Sequence, residues 1–246
     1  MKRALTLVLF LLLALPGAAL ADKLDFSVSP QGVTIHTFYN GASVTVTGAA
    51  PEGSQIVVRF SGAPEKVAMK EKGKALGLLW MNMNTLHFSG VPKVYLVESS
   101  APLADLGAVG ATLGLEGLTD SMEIEPATAD RAMLLPELVK LKKSEGLYRE
   151  QSDGVAVKVG QGRFEAKLAI PSRLSPGEYV LEVFAVKNGL IVAQGSQPLE
   201  AKLVGAPAFL ADLAFNHAIW YGVLASIIAI VAGLGIGLVF QSKGAH

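Results

Sequence analysis

The chain has 246 residues, no cysteine, 51% hydrophobic content and 21 basic against 21 acidic side chains. Without cysteine it can form no disulfide, no thiolate nucleophile, no Cys-ligated zinc or iron–sulfur site and no lipid anchor attached through a cysteine after a leader. Lys2, Arg3 and Lys243 lie in or beyond the apolar ends, which leaves 18 basic and 21 acidic residues over 22–217 and argues against nucleic acid as a partner.

The excess of apolar residues sits at the two ends. Lys2 and Arg3 precede an apolar run from Ala4 to Leu15, followed by Pro16, Gly17 and Ala18-Ala19-Leu20-Ala21. A charged start, a short apolar run and an Ala-x-Ala end predict a cleaved signal peptide over 1–21. The run is short for a bilayer span, and the alternative is an uncleaved anchor.

Residues 24–100 alternate short β-type runs with turn signals. The runs are Leu24–Val28, Val33–Thr37, Ser43–Thr47, Gln55–Phe60, Lys66–Met69, Thr85–Phe88 and Lys93–Val97, and the breaks carry Pro30, Asn40-Gly41, Pro51, Gly62, Pro64, Gly90 and Pro92. This spacing predicts a sandwich or barrel. The middle, about 101–150, reads as a helical insertion. Pro102–Leu118 is weakened as a helix by Gly107, Gly110 and Gly114, whereas Asp130–Glu145 has Leu134, Leu138 and Leu141 on one face, lysines in its last turns and Gly146 just beyond.

Strands then resume at Val155–Val159, Arg163–Ile170, Tyr179–Lys187, Leu190–Ala193 and Leu199–Val204, with Asn188-Gly189 as a hairpin signal and Gly160-Gln161-Gly162 as a tight turn. They are too few to close a sheet pair alone and are expected to complete the early sheet. Tyr179, entering a strand after Pro176-Gly177, has the pattern of an immunoglobulin-like tyrosine corner. The expected fold is therefore mainly β: one Ig-like β-sandwich over 22–204 with a helical insertion, the alternative being two small β-domains bridged by helices.

Residues 205–217 read as a linker. Residues 218–240 contain no charge and are long enough to cross a hydrocarbon core of about 30 Å. Trp220 and Tyr221 mark one boundary, and 241–246 forms a short tail expected in the cytoplasm. Gly222, Ser226, Ala229, Gly233 and Gly237 follow at intervals of three or four and form a small-residue face suited to close helix packing, with a second copy or another membrane protein as partner.

Chemistry is sparse. No Ser sits in a Gly-x-Ser-x-Gly elbow, and the three histidines of the expected outer region, His36, His87 and His217, suggest no triad, so no enzymatic activity is expected. Met81 and Met83 with His87 offer soft ligands for Cu(I), but packing of both methionines into the core with Leu78 and Leu79 is the preferred reading. Glu116, Asp120, Glu123 and Glu125 lack the ligand spacing of a calcium loop and read as solvated.

Several segments in order, Leu24-Asp25-Phe26-Ser27, Leu79-Trp80-Met81-Asn82, Val91-Pro92-Lys93-Val94-Tyr95, Glu145-Gly146-Leu147-Tyr148, Pro176-Gly177-Glu178-Tyr179 and Trp220-Tyr221-Gly222, resemble a family of single-pass membrane proteins of alphaproteobacterial type. The resemblance implies an envelope protein without assigned enzymology, near anion-exporter-like permeases, and carries over no catalytic residue, cofactor or metal ligand. The function expected is a membrane-anchored extracytoplasmic binding or accessory module, associated with a membrane transporter. It is placed in the bacterial inner membrane with the bulk of the chain periplasmic. The alternative is a periplasmic Cu(I)-binding protein using Met81, Met83 and His87.

Overall fold

The computed structural model describes residues 21–75, 78–127, 129–158 and 162–241. The expected signal peptide, apart from Ala21, therefore lies outside the described residues, as do Gly160 and Gln161 of the expected turn and residues 242–246 of the tail.

The chain is mainly β. The first eight strands are β1 (Asp22–Lys23), β2 (Phe26–Ser29), β3 (Gly32–Ile35), β4 (Ala42–Ala49), β5 (Gln55–Gly62), β6 (Pro64–Ala75), β7 (Leu79–Pro92) and β8 (Tyr95–Ser99). A 3₁₀ turn, Leu103–Leu106, leads into α1 (Gly107–Leu113) and α2 (Leu115–Asp120), then β9 (Glu123–Glu125) and α3 (Arg131–Ser144). The chain returns to β10 (Tyr148–Ser152), β11 (Val155–Lys158), β12 (Arg163–Ile170), β13 (Gly177–Lys187) and β14 (Leu190–Leu203), and ends in α4 (Ala206–Asn216) and α5 (Ala218–Gln241).

Three sheets result. The central one runs β1-β14-β13-β5-β8-β10, with β3 also paired to β14; the second runs β11-β12-β4-β2, and the third β6-β7-β9. Early and late strands interleave, since β13 pairs with β5 and β12 with β4. They share both large sheets, so two separate β-domains are not the arrangement.

Side-chain alternation sets the layers. Phe164, Ala166, Leu168 and Ile170 of β12 and Val44 and Val46 of β4 meet Ile56, Val58, Phe60, Tyr179, Leu181 and Val183 of the central sheet in one core. The intervening residues Val57, Tyr95, Val97, Phe184 and Val186 face the other way, into a second core beneath the helices and the root of the β6–β7 hairpin. Two facing sheets are compatible with an Ig-like sandwich. Buried Tyr179 stacks on Phe60 at 5.0 Å and donates its hydroxyl to Ser175 O at 2.6 Å, the bond expected of a tyrosine corner.

β13 and β14 join through Asn188-Gly189, both at positive φ as a two-residue I′ turn requires. The two last strands expected from the sequence are one strand. Pro198 lies opposite Val180 of β13, and on its other flank β14 pairs only with β1, at Ala193–Gln194, and with β3, at Glu200–Leu203. The missing proline N–H falls in the gap between those two partners, so no ladder bond is forfeited there.

Asp130 caps α3, accepting from Met133 N at 3.2 Å, and Pro136 lies inside the helix rather than at its start. At the far end Gly146 N–H bonds Lys143 O and Leu147 N–H bonds Lys142 O, a Schellman closure that needs the left-handed φ of Gly146. Arg131 spans the gap to α2 by donating to Met122 O and to Thr119 O, the latter at 2.7 Å.

Burial accounts for the most informative titration. Glu98 on β8 is 2% exposed and accepts from Arg149 Nη2 at 3.2 Å. Burial pushes its carboxyl above the ordinary value, and Arg149 opposes that shift only in part. A raised folded-state value means that Glu98 contributes most below its unfolded pKa and loses that contribution as pH rises through the folded one. For the full chain in detergent, the stability of wild type minus that of E98Q should therefore fall from acid pH to neutrality; a flat difference would contradict this. Phe60→Ala should cost about 3–5 kcal/mol in the same denaturant titration. Phe38→Ala, at a position 87% exposed, should stay within about 0.5 kcal/mol.

Candidate functional site

The β6–β7 hairpin departs from the expected sandwich. The runs Lys66–Met69 and Thr85–Phe88 are parts of two long strands of 12 and 14 residues that form a sheet of their own with β9. The reason is in the faces: Lys66, Lys70 and Lys72 lie exposed on one side of β6, so only the other side can be covered. Twelve residues in extended form reach about 40 Å.

The root of this arm is firmly held. Leu86, Phe88 and Val91 are buried in the second core, β9 pairs with His87–Ser89, and Tyr148 donates to Pro92 O at 2.8 Å. Lys142 of α3, only 8% exposed, reaches Glu65 at 3.2 Å. Gly90 supplies positive φ at the one-residue irregularity near the root, where a Cβ would come within 2.6 Å of Ser121 O.

Beyond the root the arm carries uncovered apolar side chains among its polar ones. Leu78 is 84% exposed, Leu79 70%, Met81 51% and Met83 52%. This corrects the expectation that the two methionines pack into the core. They lie on the half of β7 that β9 and the helices do not reach, and a two-stranded ribbon has no opposing layer there.

The register also separates the sequence-predicted copper ligands. Glu71 pairs with Asn84 and Lys72 with Asn82, so Met83 is an extra residue on β7, and the alternation reverses across it. Val67, Met69 and Gly73 share one face of β6, so Met81, paired with Gly73, is on the same side as Leu86 and Phe88. Met83 joins it, its Cγ lying over Gly73. His87, paired with Ala68, is on the opposite face. The three residues do not converge.

The remaining candidates are dispersed. His36 and His217 are exposed, and His36 Nδ1 accepts from Phe38 N at 3.1 Å. Glu116, Asp120, Glu123 and Glu125 are exposed on α2 and β9. The exposed arm was missed in the sequence because its strands read like sandwich strands; Lys66, Lys70 and Lys72 on one face of β6 were the available signal.

The other candidate surface is α5. Ala218–Leu238 is long and apolar enough to cross a membrane and has none of its length buried against the body. Gly222, Ser226, Ala229, Gly233 and Gly237 fall within this regular helix, and a Cβ at Gly222, Gly233 or Gly237 would meet nothing within 4 Å. Ser226 donates its hydroxyl to Gly222 O at 2.9 Å, so its donor is satisfied within the helix.

The root of the arm and the end of β14 are neighbours in the fold. Gly62, at the end of β5, pairs with Tyr179, and Tyr179 pairs with Leu199 near the end of β14. The arm and the segment that leads through α4 to α5 therefore leave the same end of the central sheet. A layered β body joined to one candidate membrane-crossing helix among the described residues is the arrangement of a membrane protein. The chain belongs to the family described as "Putative transmembrane protein (Alph_Pro_TM)", whose model covers residues 23–242. No curated protein matches it.

Exposure along the arm makes a direct prediction for peroxide treatment followed by peptide mass spectrometry. Met81 and Met83 should convert to sulfoxide in the folded protein, whereas Met122, fully buried in the second core, should resist until the chain unfolds. Equal rates at all three would contradict the exposed arm.

Proposed function

We propose that this chain is a membrane-anchored binding or accessory module without enzymatic activity. Its β body lies outside the cytoplasm and its short C-terminal tail inside, in the inner membrane of a bacterium. The observation that carries the reading is the arm, an uncovered apolar tip on a root pinned by β9, α3 and Tyr148. Exposed apolar groups on a fixed support are the economical way to present a contact surface, because little ordering cost remains to be met on binding. The partner we infer is a membrane protein such as a transporter, with an apolar groove bordered by acidic groups that would complement Lys66, Lys70 and Lys72.

The arm and the α4–α5 segment leave the same end of the central sheet, which favours a partner that is itself in the membrane, since both surfaces would be offered to one molecule. The small-residue face supports close approach of a partner helix within the bilayer.

Crosslinking in native membranes, followed by purification of the full chain, tests this. One membrane protein should be enriched with the wild type. Leu79→Asp with Met81→Asp should lower its recovery about tenfold, equivalent to ~1.4 kcal/mol, without changing the melting of the body. Gly233→Leu with Gly237→Leu should lower it independently. Recovery of the chain alone, or equal recovery with all variants, would reject the reading.

A further inference from the structure

The segment expected as a linker is helical: α4 occupies Ala206–Asn216, with Pro207 in its first turn. Its exposed side chains are unusual for a helix standing in water. Phe209 is 60% exposed, Leu210 48% and Phe215 86%, and across 204–217 the one formal charge is Asp212. Ala206, Phe209, Leu210 and Leu213 recur at i, i+3, i+4 and i+7 and make one apolar stripe. Asp212, which accepts from Asn216 Nδ2 at 2.7 Å, lies off that stripe.

Only His217 separates α4 from α5. Its φ of −134° and ψ of 50° are not helical, so the axis of α4 is free to depart from that of the span. Eleven residues make a rod of about 16 Å. Joined to the end of a bilayer-crossing helix, beside Trp220 and Tyr221, such a rod has the membrane surface as its nearest apolar medium.

We propose that α4 lies along the bilayer surface, with Phe209, Leu210 and Leu213 among the upper acyl chains and Asp212 turned to water. The occupant of the stripe is lipid. Continuity with α5 is what selects it over a soluble partner, and the proposal rests on α5 crossing the bilayer. The body is then held close to the membrane rather than on a free tether, which sets the height at which the arm works.

The absence of cysteine allows a clean test on the full chain. Single variants F209C, L210C, D212C and, within the span, I228C would be labelled with an environment-sensitive fluorophore and reconstituted in phosphatidylcholine vesicles. Residues 209 and 210 should emit to the blue of 212 and be quenched about twofold more by a nitroxide placed at the headgroup level. Residue 228 should respond instead to a nitroxide deep in the acyl region. Water-like emission at 209 and 210 with lipid-like emission at 228 would overturn the proposal and leave the span intact. Water-like emission at 228 as well would overturn both. An unchanged melting transition of each variant shows that its body is folded.

Discussion

Covering the central sheet on both faces is the constraint from which the rest of the molecule follows. Ile56-Val57-Val58 on β5, Tyr95–Val97 on β8 and Val183–Val186 on β13 are buried without interruption. A strand of that kind cannot leave either side to water. The four-stranded sheet satisfies one face. The helices, with the first half of the hairpin, satisfy the other, and this second layer fixes a ribbon that would otherwise be marginal by itself.

Polar contacts in the second layer are few and specific. Lys142 with Glu65, Arg59 with Glu182 at 2.8 Å and Tyr95 donating to Leu113 O at 2.9 Å each join elements distant in the chain. Arg59 also lies 4.9 Å from the ring centre of Phe184, so its guanidinium is held by an aromatic face as well as by a carboxylate. Such pairs add little net stability when half-buried, but they penalise alternative placements of the helices by leaving a charge unpaired.

Much of the β framework was legible because its signals are local. Strict alternation in Ser43–Thr47, the Asn188-Gly189 turn and the Asp130-to-Gly146 helix boundaries all depend on residues within one element, and all three elements formed where expected. What could not be read depended on partners distant in sequence. Pro198 appears to break a strand unless the gap between β1 and β3 is known. Lys142 looks like one more solvated lysine until Glu65 is brought beside it. The candidate site suffered in the same way: Met81 and His87 share strand parity in the sequence, and only pairing with β6 reveals the extra residue that puts them on opposite sides. The helical state of 206–216 was hidden by Gly205 and Pro207, which mark a helix start as readily as a linker.

The extra residue at Met83 uncouples how far the ribbon extends from the direction in which its end looks. Lengthening both strands by one residue beyond that point would advance the end by about 3.3 Å and turn it over, whereas two residues on each strand would advance it about twice as far and preserve its facing. Paired insertions would therefore change the reach of the ribbon while keeping its facing, whereas a single-residue insertion on one strand alone would redirect its exposed apolar side chains altogether.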